Sequence, residues 1–322
     1  MIKERLEAKE PIIYQSLLNA IRKHQLAQCF LLAGPKNPLK LETAFLLAET
    51  IVEGKDDFAC ETCNTCRRIQ DLNYYDLKYI DGNDDSIKIE TIEAMLEEFN
   101  KTPLEAAHKQ IYIINNINNS SVKVLNAILK FMEEPPSENV YGILITDQID
   151  GLLPTIVSRC QTYTFRALNI HELMERYMEV GFEGLDAYFI ANIFKQFVEI
   201  EIDDEYYLHA KDSVLKTLEY LKEPRRLAPY FSAEGYGVYK KDAEGLKKYM
   251  QDYLSLMVIY CNDAIDLEGI KDRSYEQELV TLRNYPIYEL LKTFVEALDK
   301  SRANYDKKLL FDQLAYRITK IL

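Results

Sequence analysis

The stretch F-L-L-A-G-P-K-N-P-L-K-L, Phe30 to Leu41, decides how the first half of this chain folds. A short apolar run from Phe30 to Ala33 leads into Gly34, and a helical pattern begins at Leu41. Strand, glycine turn and helix in that order form the setting of a phosphate-binding loop, whose working form reads G-x-x-x-x-G-K-[ST]. Leu39 stands where the second glycine belongs and Leu41 where a hydroxyl would hold magnesium, so only Gly34 and Lys40 remain. Glycine permits positive φ angles and close backbone approach to phosphates, whereas Leu39 adds a Cβ and Pro38 removes an N–H donor. The loop reads as dismantled, with no tight ATP binding. Taken alone, it reads more simply as a plain turn on a sheet that never held nucleotide. Without its glycine cradle Lys40 is expected to be a solvated residue, with contact to a stray phosphate or to neighbouring backbone as the alternative.

Around this stretch, short apolar runs alternate with amphipathic helical patterns up to about Phe165, which is how a parallel sheet with covering helices reads. The strand candidates are Cys29 to Ala33, Leu77 to Ile80, Gln110 to Ile114, Gly142 to Thr146 and Gln161 to Phe165. Leu41, Ala44, Phe45, Ala48 and Ile51 line one helical face, and Ile89, Ile92, Met95, Leu96 and Phe99 another. Ser120 or Ser121 caps a third helix, with Leu125, Ile128, Leu129 and Met132 as its buried stripe and Pro135 and Pro136 as its stop. After Arg166 the strand signal disappears. Ile170 to Val180 and Leu185 to Val198 read as a small helical domain. Tyr206 to Leu221, Ala243 to Ile265, Ile287 to Leu298 and Asp306 to Leu322 read as a bundle. The expected division is therefore an α/β domain over 1–166, a small helical domain over 167–203 and an all-α bundle over 204–322.

The composition narrows the function. With 322 residues, 48% of them hydrophobic, the chain can bury substantial cores. Its formal net charge is −13, and basic residues are outnumbered on both sides of Arg166, 18 to 24 up to it and 21 to 28 beyond. Strong autonomous binding of nucleic acid is disfavoured on that ground, because counterion release needs clustered Lys and Arg, and a local basic patch stays open as the alternative. The N-terminal M-I-K-E-R-L-E-A-K-E lacks the apolar core of a signal peptide and no run approaches a membrane span, so a cytoplasmic location is expected.

Two further segments bear on chemistry. The strand I-Y-I-I-N-N, Ile111 to Asn116, ends in Asn115 and Asn116 where a nucleotide hydrolase carries acids that organise magnesium and water. An amide cannot replace either carboxylate. Cys60, Cys63 and Cys66 follow a C-x-x-C-x-x-C spacing that lets three thiolates converge on one tetrahedral metal ion, which needs a fourth ligand. Three thiols without metal is the alternative. His24, His108, His171 and His209 are dispersed and read as surface or packing residues, and the many tyrosines of the second half as core and interface.

Three downstream segments occur in a recognisable order: N-A-I-L-K-F-M-E-E-P-P from Asn126 to Pro136, G-I-L-I-T from Gly142 to Thr146, and L-L-P-T-I-V-S-R-C-Q from Leu152 to Gln161. With the degenerate loop, the cysteine cluster and S-I-K-I-E-T-I from Ser86 to Ile92, they closely resemble the AAA+ subunits of bacterial DNA polymerase III clamp loaders. The resemblance covers most of residues 10 to 168. It implies an AAA+ parallel-sheet domain, a small helical lid domain and a C-terminal collar domain that joins a ring. The closing segment, with Asn304, Leu309 and Phe311, matches the family's ending only loosely.

Within that family the eroded loop implies a non-hydrolysing subunit. Its implied partners are the ATP-hydrolysing gamma or tau subunits and delta, and, through the assembly, the sliding clamp and primed DNA. Arg159, in Ser158-Arg159-Cys160, is implied to be an arginine finger reaching the γ-phosphate held by a neighbouring subunit. A guanidinium suits that role because it stays charged and offers fixed donors to phosphate oxygens. Ser158 would cap or orient the turn, and Cys160 would be buried packing. Cys60, Cys63 and Cys66 are implied to hold structural zinc, but the family's fourth cysteine falls near Glu53 here, leaving Glu53, Asp56, Asp57 or water to complete the shell. The competing readings are a gamma- or tau-like ATPase with a divergent site and a zinc-dependent nucleic-acid-binding module.

Overall fold

The computed structural model describes residues 1–83, 86–239, 241–269, 273–303 and 305–322. Asn304, named above for the closing pattern, lies outside the described residues. The chain divides into two compact units, Met1–Ala167 and Leu168–Leu322. The first is α/β and the second all helical, as the loss of strand signal after Arg166 predicts.

In the first unit, α1 (Ile2–Lys9) and α2 (Pro11–Arg22) precede β1 (Cys29–Ala33), α3 (Leu39–Glu53), α4 (Asn64–Gln70) and β2 (Leu77–Asp81). Then come α5 (Ile89–Phe99), β3 (Gln110–Asn115), α6 (Val122–Glu133), β4 (Val140–Ile145), α7 (Pro154–Val157) and β5 (Gln161–Thr164). The five strands pair in parallel in the order β2-β3-β4-β1-β5. All five expected strands are present, their ends displaced by at most two residues. The first two helices carry no cue that the reading used.

The sheet is buried on both sides, as helical crossovers between parallel strands require. Phe30 and Leu32 of β1 face a core built with Leu17, Leu46, Leu47 and Ile69, while Cys29, Leu31 and Ala33 face another built with Ile92, Leu125, Ile128 and Phe131. Ser121 caps α6, its side chain accepting from the Val124 N–H. The buried stripe of α6 is Val124, Leu125, Ile128 and Phe131, whereas the expected Leu129 and Met132 are only half-buried. The reason lies in the sheet: Phe131 turns inward to meet Tyr112 of β3 edge-on, with ring centroids 5.8 Å apart.

In the second unit, α8 (Ile170–Val180), α9 (Gly184–Phe194), α10 (Glu205–Tyr220), α11 (Leu227–Tyr230), α12 (Ala243–Ile265), α13 (Glu276–Leu282), α14 (Ile287–Arg302) and α15 (Lys307–Ile321) share one apolar cluster. Tyrosines fill much of it with their hydroxyls paired: Tyr249 and Tyr230 meet Ser213, and Tyr253 meets Thr217. A buried phenol needs such a partner, so these side chains serve packing, as expected. Among the described residues no helix is long and apolar enough to cross a membrane.

Asp252 of α12 departs from this economy: it is 4% exposed, and its Oδ2 has no hydrogen-bond partner. Burial raises its pKa to about 7, so the folded state holds a proton that the unfolded chain releases near pH 4. Its contribution to stability therefore falls as pH rises from about 4 to 7. Asp252→Asn should stabilise the protein at pH 8 by on the order of 3 kcal/mol and change little at pH 3.5, which thermal melts at both pH values will read.

Candidate functional site

Three groups of residues carry the chemistry of the first unit, and β1 separates two of them. Its carboxyl end runs into Gly34, which has φ of 115° and lies so close to Phe165 that a Cβ would stand 2.2 Å from that carbonyl oxygen. Only glycine fits this conformation and this approach. The turn that follows satisfies its own donors: the Asn37 Oδ1 accepts from the Leu39 N–H at 3.0 Å, and the Asn37 amide donates to the Arg166 carbonyl at 3.2 Å. Helix α3 thus starts with a donor already used, where an anion-binding loop would leave it open.

Lys40 is not solvated, contrary to the expectation above. It is 2% exposed, and its ammonium donates to the Gly34 carbonyl at 2.5 Å, the Thr146 carbonyl at 2.9 Å and the Asp147 carboxylate at 2.6 Å. The helical position that in a working loop aims lysine at phosphate aims it here at the end of β4, where internal acceptors take all three protons. Burial lowers its pKa, and Asp147 opposes that shift. Asp147 was missed in the sequence, since nothing local connects it with a lysine more than a hundred residues earlier.

Beside this loop, Asn115 and Asn116 close β3. The Asn115 amide donates to the Tyr79 hydroxyl at 3.3 Å and to Asp81 at 3.2 Å, and the Asn116 amide to the Gly82 carbonyl at 3.2 Å. Both side chains act as donors that knit strand ends together.

Arg159 lies at the opposite end of the sheet. Cys160 follows it, with its Sγ 2.9 Å from that of Cys29, the first residue of β1. Gly34 follows the last residue of β1, and five residues of strand span roughly 13 Å. Arg159 is therefore at the other end of β1 from the Gly34 turn. It is exposed, donates to the Thr155 carbonyl at 3.1 Å and pairs with Glu133 at 2.6 Å, each partner side chain 42% exposed. Such a pair holds about 0 to 1 kcal/mol and releases readily. Ser158 ends α7 and donates to the same Thr155 carbonyl at 3.1 Å, orienting the turn. Cys160 is half-buried, not buried, because it lies in the turn between α7 and β5 and not inside the sheet; a cavity of about 620 Å³ bordered by Cys29, Glu133 and Arg159 lies nearby.

The third group comes together at the end of α3. Glu53, Cys60, Cys63 and Cys66 place one ligand atom each within 4.8 Å of one another. The Glu53 Oε1 lies 3.1, 3.3 and 3.2 Å from the sulfurs of Cys60, Cys63 and Cys66, and the sulfurs of Cys63 and Cys66 are 3.5 Å apart. Tetrahedral coordination with metal–sulfur bonds of about 2.3 Å puts ligand atoms about 3.5 to 3.8 Å apart, so this set fits a metal ion after small adjustments. Of the open choices for a fourth ligand, Glu53 is the one brought to the sulfurs. Asp56 pairs instead with His24, and Asp57 accepts from the Phe58 N–H. Burial pushes the Glu53 carboxyl up, but hydrogen bonds from Lys55 and the three thiols outweigh it and bring the pKa down to about 2. A carboxylate charged throughout the physiological range is a competent hard ligand beside soft thiolates.

The family described as DNA polymerase III, delta subunit, matches residues 9–169. The delta' subunit of Bacillus subtilis DNA polymerase III is 32% identical over 276 residues, 84% of this chain and 82% of its own length. The chain belongs to the DNA polymerase III clamp-loader family. Several tau and gamma subunits match about half of the chain. The tau subunit of B. subtilis is 26% identical over 166 residues, 51% of this chain and 29% of its own length. Among solved structures, a gamma subunit-related protein of Thermotoga maritima is 18% identical, with 95% of this chain and 98% of that one covered at a TM-score of 0.40.

For this clamp-loader chain, the lysine plug carries a stability prediction. Asp147→Asn should leave the Lys40 ammonium short of its charged partner and destabilise the first unit by about 1 to 3 kcal/mol, visible as a lower urea midpoint. The same variant should gain no affinity for Mg-ATP in calorimetry, because the acceptor carbonyls of Gly34 and Thr146 remain in place.

Proposed function

We propose that this chain is a delta-prime subunit of the DNA polymerase III clamp loader: a ring member that does not hydrolyse ATP, and that lends Arg159 to the nucleotide site of an adjacent gamma or tau subunit. Saturation of the Lys40 ammonium by Gly34, Thr146 and Asp147 is the observation that carries this reading. A lysine with no free proton offers nothing to a β- or γ-phosphate, and Leu41 and Asn115 supply no ligand typical of magnesium sites. Support also comes from Arg159, exposed and weakly held at the far end of β1. An arginine finger must leave its resting partner at little cost and reach a phosphate in a neighbour.

In this reading the second unit supplies a lid from 167–203 and a collar from 204–322. Through gamma or tau and delta, the assembly opens the sliding clamp and seats it on primed DNA. The acidic chain itself contributes no strong DNA affinity. Glu53, Cys60, Cys63 and Cys66 would hold zinc, which pins the end of α3 to α4 and takes no part in catalysis. Zinc would supply only a charge centre that binds thiolates.

Reconstitution with cognate gamma or tau and delta tests the assignment. Arg159→Ala should assemble normally by gel filtration, yet lose on the order of 10³ in single-turnover hydrolysis at the site it serves. Full clamp- and primer-stimulated hydrolysis by an assembled variant would sink the arginine role. Submicromolar Mg-ATP binding with turnover by the isolated chain would establish the gamma- or tau-like alternative instead. Metal content gives an independent readout. Purified protein should retain one zinc per chain, and Glu53→Ala should weaken retention against a chelator by at least about tenfold.

A further inference from the structure

Cys29 and Cys160 form a second thiol group, separate from the metal-ligand cluster and unused by the reading above. The register that pairs Phe30 with Gln161 sets Cys29, the first residue of β1, beside Cys160, the residue just before β5. Neighbouring strands lie about 4.8 Å apart, within the Cα spacing that a disulfide spans. Their sulfurs are already 2.9 Å apart.

The surroundings differ on the two sides of this pair. Cys29 is 6% exposed, and the ring of Tyr112 on β3 reaches across β4 over Gly142, which pairs with Cys29. A Cβ at Gly142 would stand 2.2 Å from the Tyr112 hydroxyl, so the glycine is what makes room for the phenol. Cys160 is half-buried beside the cavity of about 620 Å³, whose lining includes Cys29, Gln28, Glu133 and Arg159. Cys29 is buried and Cys160 only half-buried, so Cys160 is the more accessible of the two to a small reagent.

We propose that Cys29 and Cys160 are a peroxide-oxidisable dithiol, with Cys160 the attacked thiol and Cys29 the resolving one, whose disulfide fixes the turn that carries Arg159. In the first step the Cys160 thiolate attacks one oxygen of hydrogen peroxide. The O–O bond breaks, hydroxide leaves and takes a proton to become water, and Cys160 becomes a sulfenic acid. In the second step the Cys29 sulfur attacks the sulfenic sulfur, the S–O bond breaks and a second water leaves with the Cys29 proton. Two thiols and one peroxide become one disulfide and two waters. Thiol reductants reverse the reaction by exchange. The hydrogen bond with Cys160, and after it burial, raise the pKa of Cys29, which favours its protonated form in the reduced protein.

Peptide mapping of the full-length chain tests this site without reference to any activity. Reduced protein, freed of reductant, is exposed to hydrogen peroxide, alkylated and digested. A peptide pair joined through Cys29 and Cys160, two hydrogens lighter than the sum of its parts, is expected in the wild type and absent in Cys160→Ser. Cys29→Ser should leave a sulfenic acid at Cys160 that dimedone captures. Alkylation of both Cys29 and Cys160 under peroxide sufficient to oxidise Cys60, Cys63 or Cys66 would overturn the proposal. The effect on Arg159 rests on the arginine-finger reading and has its own measurement. Stimulated hydrolysis by the reconstituted assembly should fall several-fold on oxidation and return with dithiothreitol, and Cys29→Ser should abolish that response. Formation of the disulfide without any change in hydrolysis would refute the link to Arg159 and leave the Arg159→Ala result standing.

Discussion

Burial of β1 on both faces and both edges is the constraint on which the first unit depends. With β4 on one side and β5 on the other, and cores above and below, the strand cannot slide by one residue without turning Phe30 and Leu32 into the wrong core. Its two ends are therefore fixed in space. Gly34 and the plugged phosphate loop lie at one end, and Cys29, Cys160 and the Arg159 turn at the other. An α/β sheet normally binds its ligand at the carboxyl ends of its strands, and here Lys40 and Asp147 pair with each other at that end. The amino end has kept the exposed cation.

The pairing of Lys40 has a structural reward. A lysine left in a vacant phosphate site would be a buried charge without counterions, which is costly. Two carbonyls and one carboxylate replace the oxygens of a nucleotide and turn the liability into a clasp between α3 and β4. The metal-ligand cluster follows similar logic at the other end of α3. A carboxylate takes the place expected for a fourth cysteine, and its charged form is favoured by Lys55 and three thiols. Both changes replace one kind of ligand by another of compatible charge, and the fold around them is retained.

Much of this architecture was legible because its cues are local. Alternating apolar runs located the five strands, Ser121 and Pro135 bracketed α6, and periodicity found the long helices of the second unit. Segments without strong periodicity were not found, among them α1, α4 and α13. The stripe on α6 was displaced because periodicity defines an apolar face only to within a residue or so. The contact of Phe131 with Tyr112 chose among the candidates. Cys160 was expected to be buried, since nothing in S-R-C announces that the turn leaves it half-exposed.

What the sequence alone determined is chemical identity at each position: the missing glycine and hydroxyl of the loop, the amides at the end of β3, the arginine in its motif and three cysteines at ligand spacing. These are properties of residue type and short spacing, and they carry the expectation that the loop holds no nucleotide. Tertiary structure decided the pairings: Lys40 with Asp147, Glu53 with the sulfurs, Arg159 with Glu133, and Cys29 with Cys160. Glu53 is seven residues from its nearest sulfur, and the other pairs are 26 to 131 residues apart in the chain. Parallel crossovers bring such distant residues together, and a hydrogen bond or ligand bond acts only over a few ångströms, so local spacing could not reveal them.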